Sequence, residues 1–230
     1  MQGADALTLG VVLSLFSVML MGMALNWLAA GLLAFTILFY AVVYTMWLKR
    51  WTAQNIVIGG LAGALPPVIG WAAATGTTPP NAWLLCAIIF MWTPPHFWAL
   101  SLYTSEDYAK AGVPMMPVVR GASSTRRQIL IYSLALVPIC IAPAFTGLGG
   151  GAYLAVSSLG GMVFLLLAWR LFRSKAGEAA DPRNDDGLYD VRAGARDARN
   201  LFAFSILYLA LLFATLLGEH LAGAAPLELL

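Results

Sequence analysis

The chain has 230 residues, of which 60% are hydrophobic and only 10% charged, and its mean hydropathy is +0.80. A water-soluble domain is about half apolar and about a quarter charged, so this composition excludes that class and indicates an integral membrane protein. The net charge of +2 is small, and the information lies in where the charges fall.

Residues 1–5 (MQGAD) have no positive n-region, so no signal peptide is expected. A bilayer core takes about 20 apolar residues per helix. Seven stretches qualify, near 6–25, 27–48, 56–75, 81–103, 128–147, 151–172 and 200–218. The connections near 26, 75–81 and 147–151 are short and hold no Lys or Arg, whereas 49–55, 104–127 and 170–199 hold all 13. The positive-inside rule makes the basic side cytoplasmic, with the N-terminus inside and the C-terminus outside. The expected fold is all-α, a polytopic membrane helix bundle forming one membrane domain over 1–230. Its longest connector, 173–199, is polar and mixed in charge and is expected to be a flexible cytoplasmic loop. Asp186 and Asp190 in NDDGLYD have metal-like spacing but no apolar context, and they read as a solvated charge run. Cys86 and Cys140 fall inside spans and read as small buried hydrophobes.

Apart from Arg170 at the very end of its span, no Asp, Glu, Lys or Arg lies within a span, which leaves His96, in WTPPHFWAL, as the ionisable group at depth besides tyrosines and cysteines. Such groups are costly in a bilayer and point to function. The competing reading is a neutral histidine bonded to a carbonyl freed by Pro94 and Pro95, which deprive Phe90 and Met91 of their helical partners. The preceding span, NIVIGGLAGALPPVIGW, has a second proline pair at Pro66 and Pro67, with small-residue pairs Gly59/Gly63 and Gly60/Ala64 that allow close helix approach. Two neighbouring helices interrupted at mid-depth suggest a cavity between them.

The basic face adds charge. YTMWLKRWTAQN (44–55) carries Lys49, Arg50, Thr52 and Asn55, and TSEDYAKAGVPMMPVVRG (104–121) carries Glu106, Asp107, Tyr108 and Lys110. Cations suit phosphate oxygens, and carboxylates with phosphates suit Mg²⁺, so a ligand with a polyanionic head and an apolar tail fits this mouth. Lys49 and Arg50 also stand where plain positive-inside anchors belong; an acidic pair is not needed for anchoring.

YTMWLKRWTAQNIVIGGLAGALPPVIGW, WTPPHFWAL, DYAKAGVPMMPVV and LFAFSILYLALLF resemble, in order and through nearly the whole chain, the protoheme IX farnesyltransferases (haem O synthases) of the UbiA-type intramembrane prenyltransferases. The resemblance implies a nine-helix bundle in the bacterial inner membrane that moves a farnesyl group from farnesyl diphosphate to a vinyl group of haem B, giving haem O. It implies Mg²⁺ and two acidic cytoplasm-facing regions, the second at Ser105–Lys110, so Asp107 is the residue carried over, with Glu106 beside it as a metal ligand. Lys49 and Arg50 are then expected to act with Asp107 in catalysis, and Asn55, Tyr108, Lys110, His96 and Tyr44 in substrate binding. The family's first Asn/Asp-rich motif, after its second helix, has no counterpart upstream of Ala6. Seven spans of nine are therefore expected, with the first two helices lacking and activity in doubt on that account.

Tyr40, Tyr44, Trp47, Trp92 and Trp98 are candidates to face an allylic cation. Thr93, His96, Leu100 and Tyr103 share one helical face, with His96 roughly 10 Å deeper than Tyr103, a depth that suits an axial contact to haem iron or a proton relay. The expected partners are farnesyl diphosphate, haem B and the lipid bilayer, then haem A synthase or oxidase assembly proteins, and no nucleic acid. The alternatives are a transporter built on paired broken helices, a non-catalytic haem-binding or assembly protein, and a related quinone-pathway prenyltransferase.

Overall fold

The computed structural model describes residues 3–48, 51–104, 114–178, 185–225 and 227, with the side chains of 3–4 and 185–194 left out. The described residues form helices and no strands, and seven segments are long and apolar enough to cross a membrane. The chain is an integral membrane protein with an all-α bundle fold.

Helix α1 spans Gly3–Ala24 and turns at Asn26 into α2, Trp27–Leu38. Asn26 caps α2 by accepting from the Ala29 N–H, and its amide donates to the Ala72 carbonyl at 2.8 Å, tying this turn to the end of the third span. Beyond Leu38 the same span widens into a nine-residue π-helical stretch, Phe39–Trp47. Runs of this geometry are rare and favour functional places. The wider turn sets the Tyr40 ring against that of Tyr44 at a tilt of 36°, ring centres 5.2 Å apart, and lets the Thr45 hydroxyl reach the Tyr40 carbonyl five residues back.

The third span is α3, Asn55–Ala64, and α4, Pro66–Thr75. The helix breaks at Leu65 because Pro66 and Pro67 carry no N–H to continue it, and Pro is well suited to a first helical turn. Helix α5, Pro80–Tyr103, behaves differently: it runs unbroken through Pro94 and Pro95. The expectation of two interrupted helices is corrected here. Both prolines of α5 are buried, and packing on several sides holds the helix across two missing N–H groups.

A short helix α6, Met116–Arg120, leads into α7, Ala122–Ile141, which ends in a 3₁₀ turn at Ala142–Ala144. This span starts about two turns earlier than the expected 128–147, because the polar ASSTRR segment already winds as helix ahead of the apolar run. Helix α8 spans Gly151–Arg173, and α9 spans Asp185–Leu221. The flexible loop expected at 173–199 is thus helical from Asp185 on; Ala and Arg are good helix formers and prolong the last span beyond the apolar core.

Helices α5, α7, α8 and α9 close a ring in which each packs on the next and α9 returns to α5. Phe164, Tyr153, Tyr208, Ile129, Leu136 and Leu201 fill its centre. Helices α3 and α4 lie on the outside of α5, α2 on α4, and α1 on α2. Cys86 and Cys140 are buried free thiols, as expected.

Candidate functional site

A cavity of about 320 Å³ lies where the π-helical stretch, α3 and α5 meet. Ile56, Gly59, Gly60 and Gly63 form one wall, a stripe at three- and four-residue spacing on α3. Ile89, Trp92, Thr93 and Phe97 form the facing wall on α5, and Tyr40 and Tyr44 close the side. The volume is within the range of small-molecule sites.

The glycines are what bring these walls together. A Cβ at Gly59 would overlap the Tyr44 ring, and one at Gly60 would stand 3.0 Å from the Thr93 methyl. A Cβ at Gly63 would meet nothing within 4 Å. Thr93 satisfies its own hydroxyl on the Ile89 carbonyl at 2.8 Å, so it presents its methyl to α3 and adds little polarity. The cavity is therefore apolar with aromatic faces. It can hold an unsaturated hydrocarbon chain and stabilise a delocalised cation.

Its aromatic lining differs from the expected set. Tyr40, Tyr44 and Trp92 are on it; Trp98 is fully buried and packs edge-on to Tyr132 of α7, and Trp47 is 54% exposed and off the lining. Phe97 and Ile89 were not anticipated. Phe97 stands four residues after Thr93, so helical spacing from Thr93 would have found it.

His96 lies behind the cavity wall, between α5 and α9. Its ring is stacked between Trp92, at 4.1 Å, and Phe202, at 4.5 Å, and its Nδ1 is 2.7 Å from the Ser205 hydroxyl. Ser205 also accepts, at its carbonyl, the Trp92 indole N–H at 2.8 Å. The polar satisfier of His96 is thus a neighbouring helix's hydroxyl, and not the freed carbonyl of α5 that the competing reading supposed. The proposed stripe divides: Thr93 faces α3, while His96 and Tyr103 both meet Phe202.

Asn55 starts α3 and is 1% exposed. Gln54 beside it donates to Gln128 of α7 at 3.4 Å, and Gln128 reaches the Met116 sulfur. Arg126, 6% exposed, donates to the Ala176 carbonyl at 2.6 Å and pairs with Glu178. Gly177, at φ +78°, sits so close to Leu102 that a side chain would collide with it. These contacts gather the ends of α5 and α8 and the starts of α3 and α7 at one end of the bundle. Lys49, Arg50, Glu106, Asp107, Tyr108 and Lys110 lie outside the described residues, and their flanking residues belong to this same end. Among the described residues no group of three or more His, Cys, Asp or Glu could hold a metal.

The profile described as the UbiA prenyltransferase family matches residues 1–184. A protoheme IX farnesyltransferase of Caulobacter vibrioides is 74% identical to the chain, covering 100% of it and 71% of the relative. One from Caulobacter sp. strain K31 is 72% identical over 99% of the chain and 69% of the relative, and one from Maricaulis maris is 62% identical over 96% and 67%. No solved structure matches.

Proposed function

The chain belongs to the UbiA prenyltransferase family, and from that premise we propose that it transfers a farnesyl group from farnesyl diphosphate to a vinyl group of haem B, giving haem O. The observation that carries this reading is the apolar, aromatic-faced cavity between the π-helical stretch, α3 and α5, whose Ile56 end adjoins Asn55 at the start of α3. Relatives named for this reaction support it across the chain. The transporter reading loses its structural basis, since α5 is unbroken at Pro94 and Pro95.

The prenyl tail lies along the cavity, and the diphosphate sits at its Ile56 end. Lys49 and Arg50 hold its oxygens and stabilise the charge that builds as the allylic C–O bond breaks and diphosphate leaves. Tyr40, Tyr44, Trp92 and Phe97 offer π faces to the allylic cation. The haem vinyl group then donates its electron pair to the farnesyl C1, forming the C–C bond. Water adds to the vinyl-derived cation and loses a proton, leaving the hydroxyl of haem O. Asp107 and Glu106 would hold Mg²⁺, which would supply charge neutralisation for the diphosphate. Asn55, Tyr108 and Lys110 complete the polar mouth. His96 acts through Trp92, holding the indole against the cavity from behind. The membrane is the bacterial inner membrane, with the basic connections cytoplasmic.

Membranes containing the chain, supplied with isotope-labelled farnesyl diphosphate and haem B, are expected to form labelled haem O, read by mass spectrometry. Persistence of unaltered haem B overturns the proposal. Asp107→Asn is expected to abolish Mg²⁺-dependent turnover with little change in thermal stability, and full activity in that variant sinks its metal role.

A further inference from the structure

Gly60 and Thr93 bring α3 and α5 into tight contact, where an added Cβ at 60 would stand 3.0 Å from the threonine methyl. One turn farther from the diphosphate end, the cavity continues between Gly63 on α3 and Ile89 on α5. There the spacing opens: a Cβ at Gly63 meets nothing within 4 Å. Gly63 is on the same stripe as Ile56, Gly59 and Gly60, roughly 10 Å along the helix axis from Ile56, so its missing side chain is cavity length. Just past it the helix breaks at Leu65, which is 2% exposed and packs in a separate apolar cluster with Val68, Ala82 and Cys86. Ile89, on the facing wall, packs against that cluster.

We infer that Gly63, opposite Ile89, sets the length of prenyl chain the cavity accepts, because the last isoprene unit of the donor occupies the space a side chain at 63 would fill. This rests on the reading that the cavity holds the prenyl tail. The Ile56 end of the cavity is about two turns of helix away from residue 63, so the selection acts on the tail alone. A hydrophobic pocket discriminates by about 10-fold or more for each methylene it can no longer hold.

The test uses the whole chain in membranes, with labelled farnesyl diphosphate displaced by unlabelled farnesyl or geranyl diphosphate, and transfer to haem B measured alongside. Gly63→Leu is expected to lower the preference for farnesyl over geranyl diphosphate by at least about tenfold, with geranyl diphosphate binding nearly unchanged. Gly63→Ala, which adds a better helix former into open space, is expected to lie between the parent and the leucine variant. Ile89→Ala lengthens the same end from the opposite wall and is expected to shift preference toward geranylgeranyl diphosphate. Gly70→Leu, on α4 off the cavity and likewise with nothing within 4 Å of an added Cβ, is the control and should leave the ratio unmoved. If the parent chain binds farnesyl diphosphate and neither Gly63→Leu nor Ile89→Ala moves the ratio, the length-setting role is overturned and the prenyl reading stands. If the parent binds no prenyl diphosphate, both are overturned.

Discussion

The ring of α5, α7, α8 and α9 and the outer layer of α1 to α4 both consist of spans apolar enough to cross a membrane, but they are packed very differently. In the ring, Phe164 and Tyr153 are fully buried, and polar groups cross between helices: the Tyr153 hydroxyl donates to the Cys140 carbonyl at 2.7 Å and the Tyr208 hydroxyl to the Ser157 carbonyl at 2.9 Å. Glu219 accepts from the Gly150 and Tyr153 N–H groups at the start of α8. In α1, by contrast, Gly22 is the one buried residue among those whose burial is described, and leucines and valines point outward on every side. Lipid tails solvate such side chains as well as a protein core does, so hydrophobicity alone does not hold helices together in a bilayer. Close approach and interhelical hydrogen bonds do. The cavity lies at the boundary, with the ring's α5 as its firm wall and the π-helical stretch as its thinly covered one.

Substitutions can break this contrast or sharpen it. The largest loss is expected in the ring: Phe164→Ala removes a fully buried ring that packs on Phe204 and Tyr208, and should cost about 3–5 kcal/mol, read as a lowered thermal midpoint in detergent. Gly59→Leu acts at the boundary. It drives a side chain into the Tyr44 ring, so about 1–3 kcal/mol of overpacking should appear as weakened farnesyl diphosphate binding, with the ring's unfolding transition little changed. Tyr208→Phe removes one interhelical hydrogen bond and should cost about 0.6–1.7 kcal/mol of stability. Phe16→Ala, at a residue 64% exposed on α1, should stay within about 0.5 kcal/mol. A Phe16→Ala loss as large as that of Phe164→Ala would remove the distinction between the two regions.

The two proline pairs show how far local sequence reaches. Pro66 and Pro67 do end α3, as missing N–H groups require. Pro94 and Pro95 carry the same chemistry, yet α5 continues through them, because α3, α7 and α9 surround it. The same missing N–H groups end the helix at Leu65 and are overridden in α5, where three neighbouring helices restrain the chain. His96 follows the same logic. Its depth and isolation are visible in WTPPHFWAL, but its partners Ser205 and Phe202 are more than a hundred residues away, and no spacing rule connects them.

Span number, the all-α class and the small-residue stripe of α3 were determined by the sequence alone, since each is a periodic or compositional property of a continuous segment. The boundaries of α7 and α9 were less legible, because polar residues that form good helix lie outside the apolar window that marks a span. Which aromatics face the cavity, which side of α5 His96 occupies and where the cavity ends were decided only by the tertiary structure. Those depend on how helices turn and approach one another, and here that is set by contacts between distant glycines, hydroxyls and rings: Gly59 under Tyr44, Gly60 against Thr93, Ser205 behind His96.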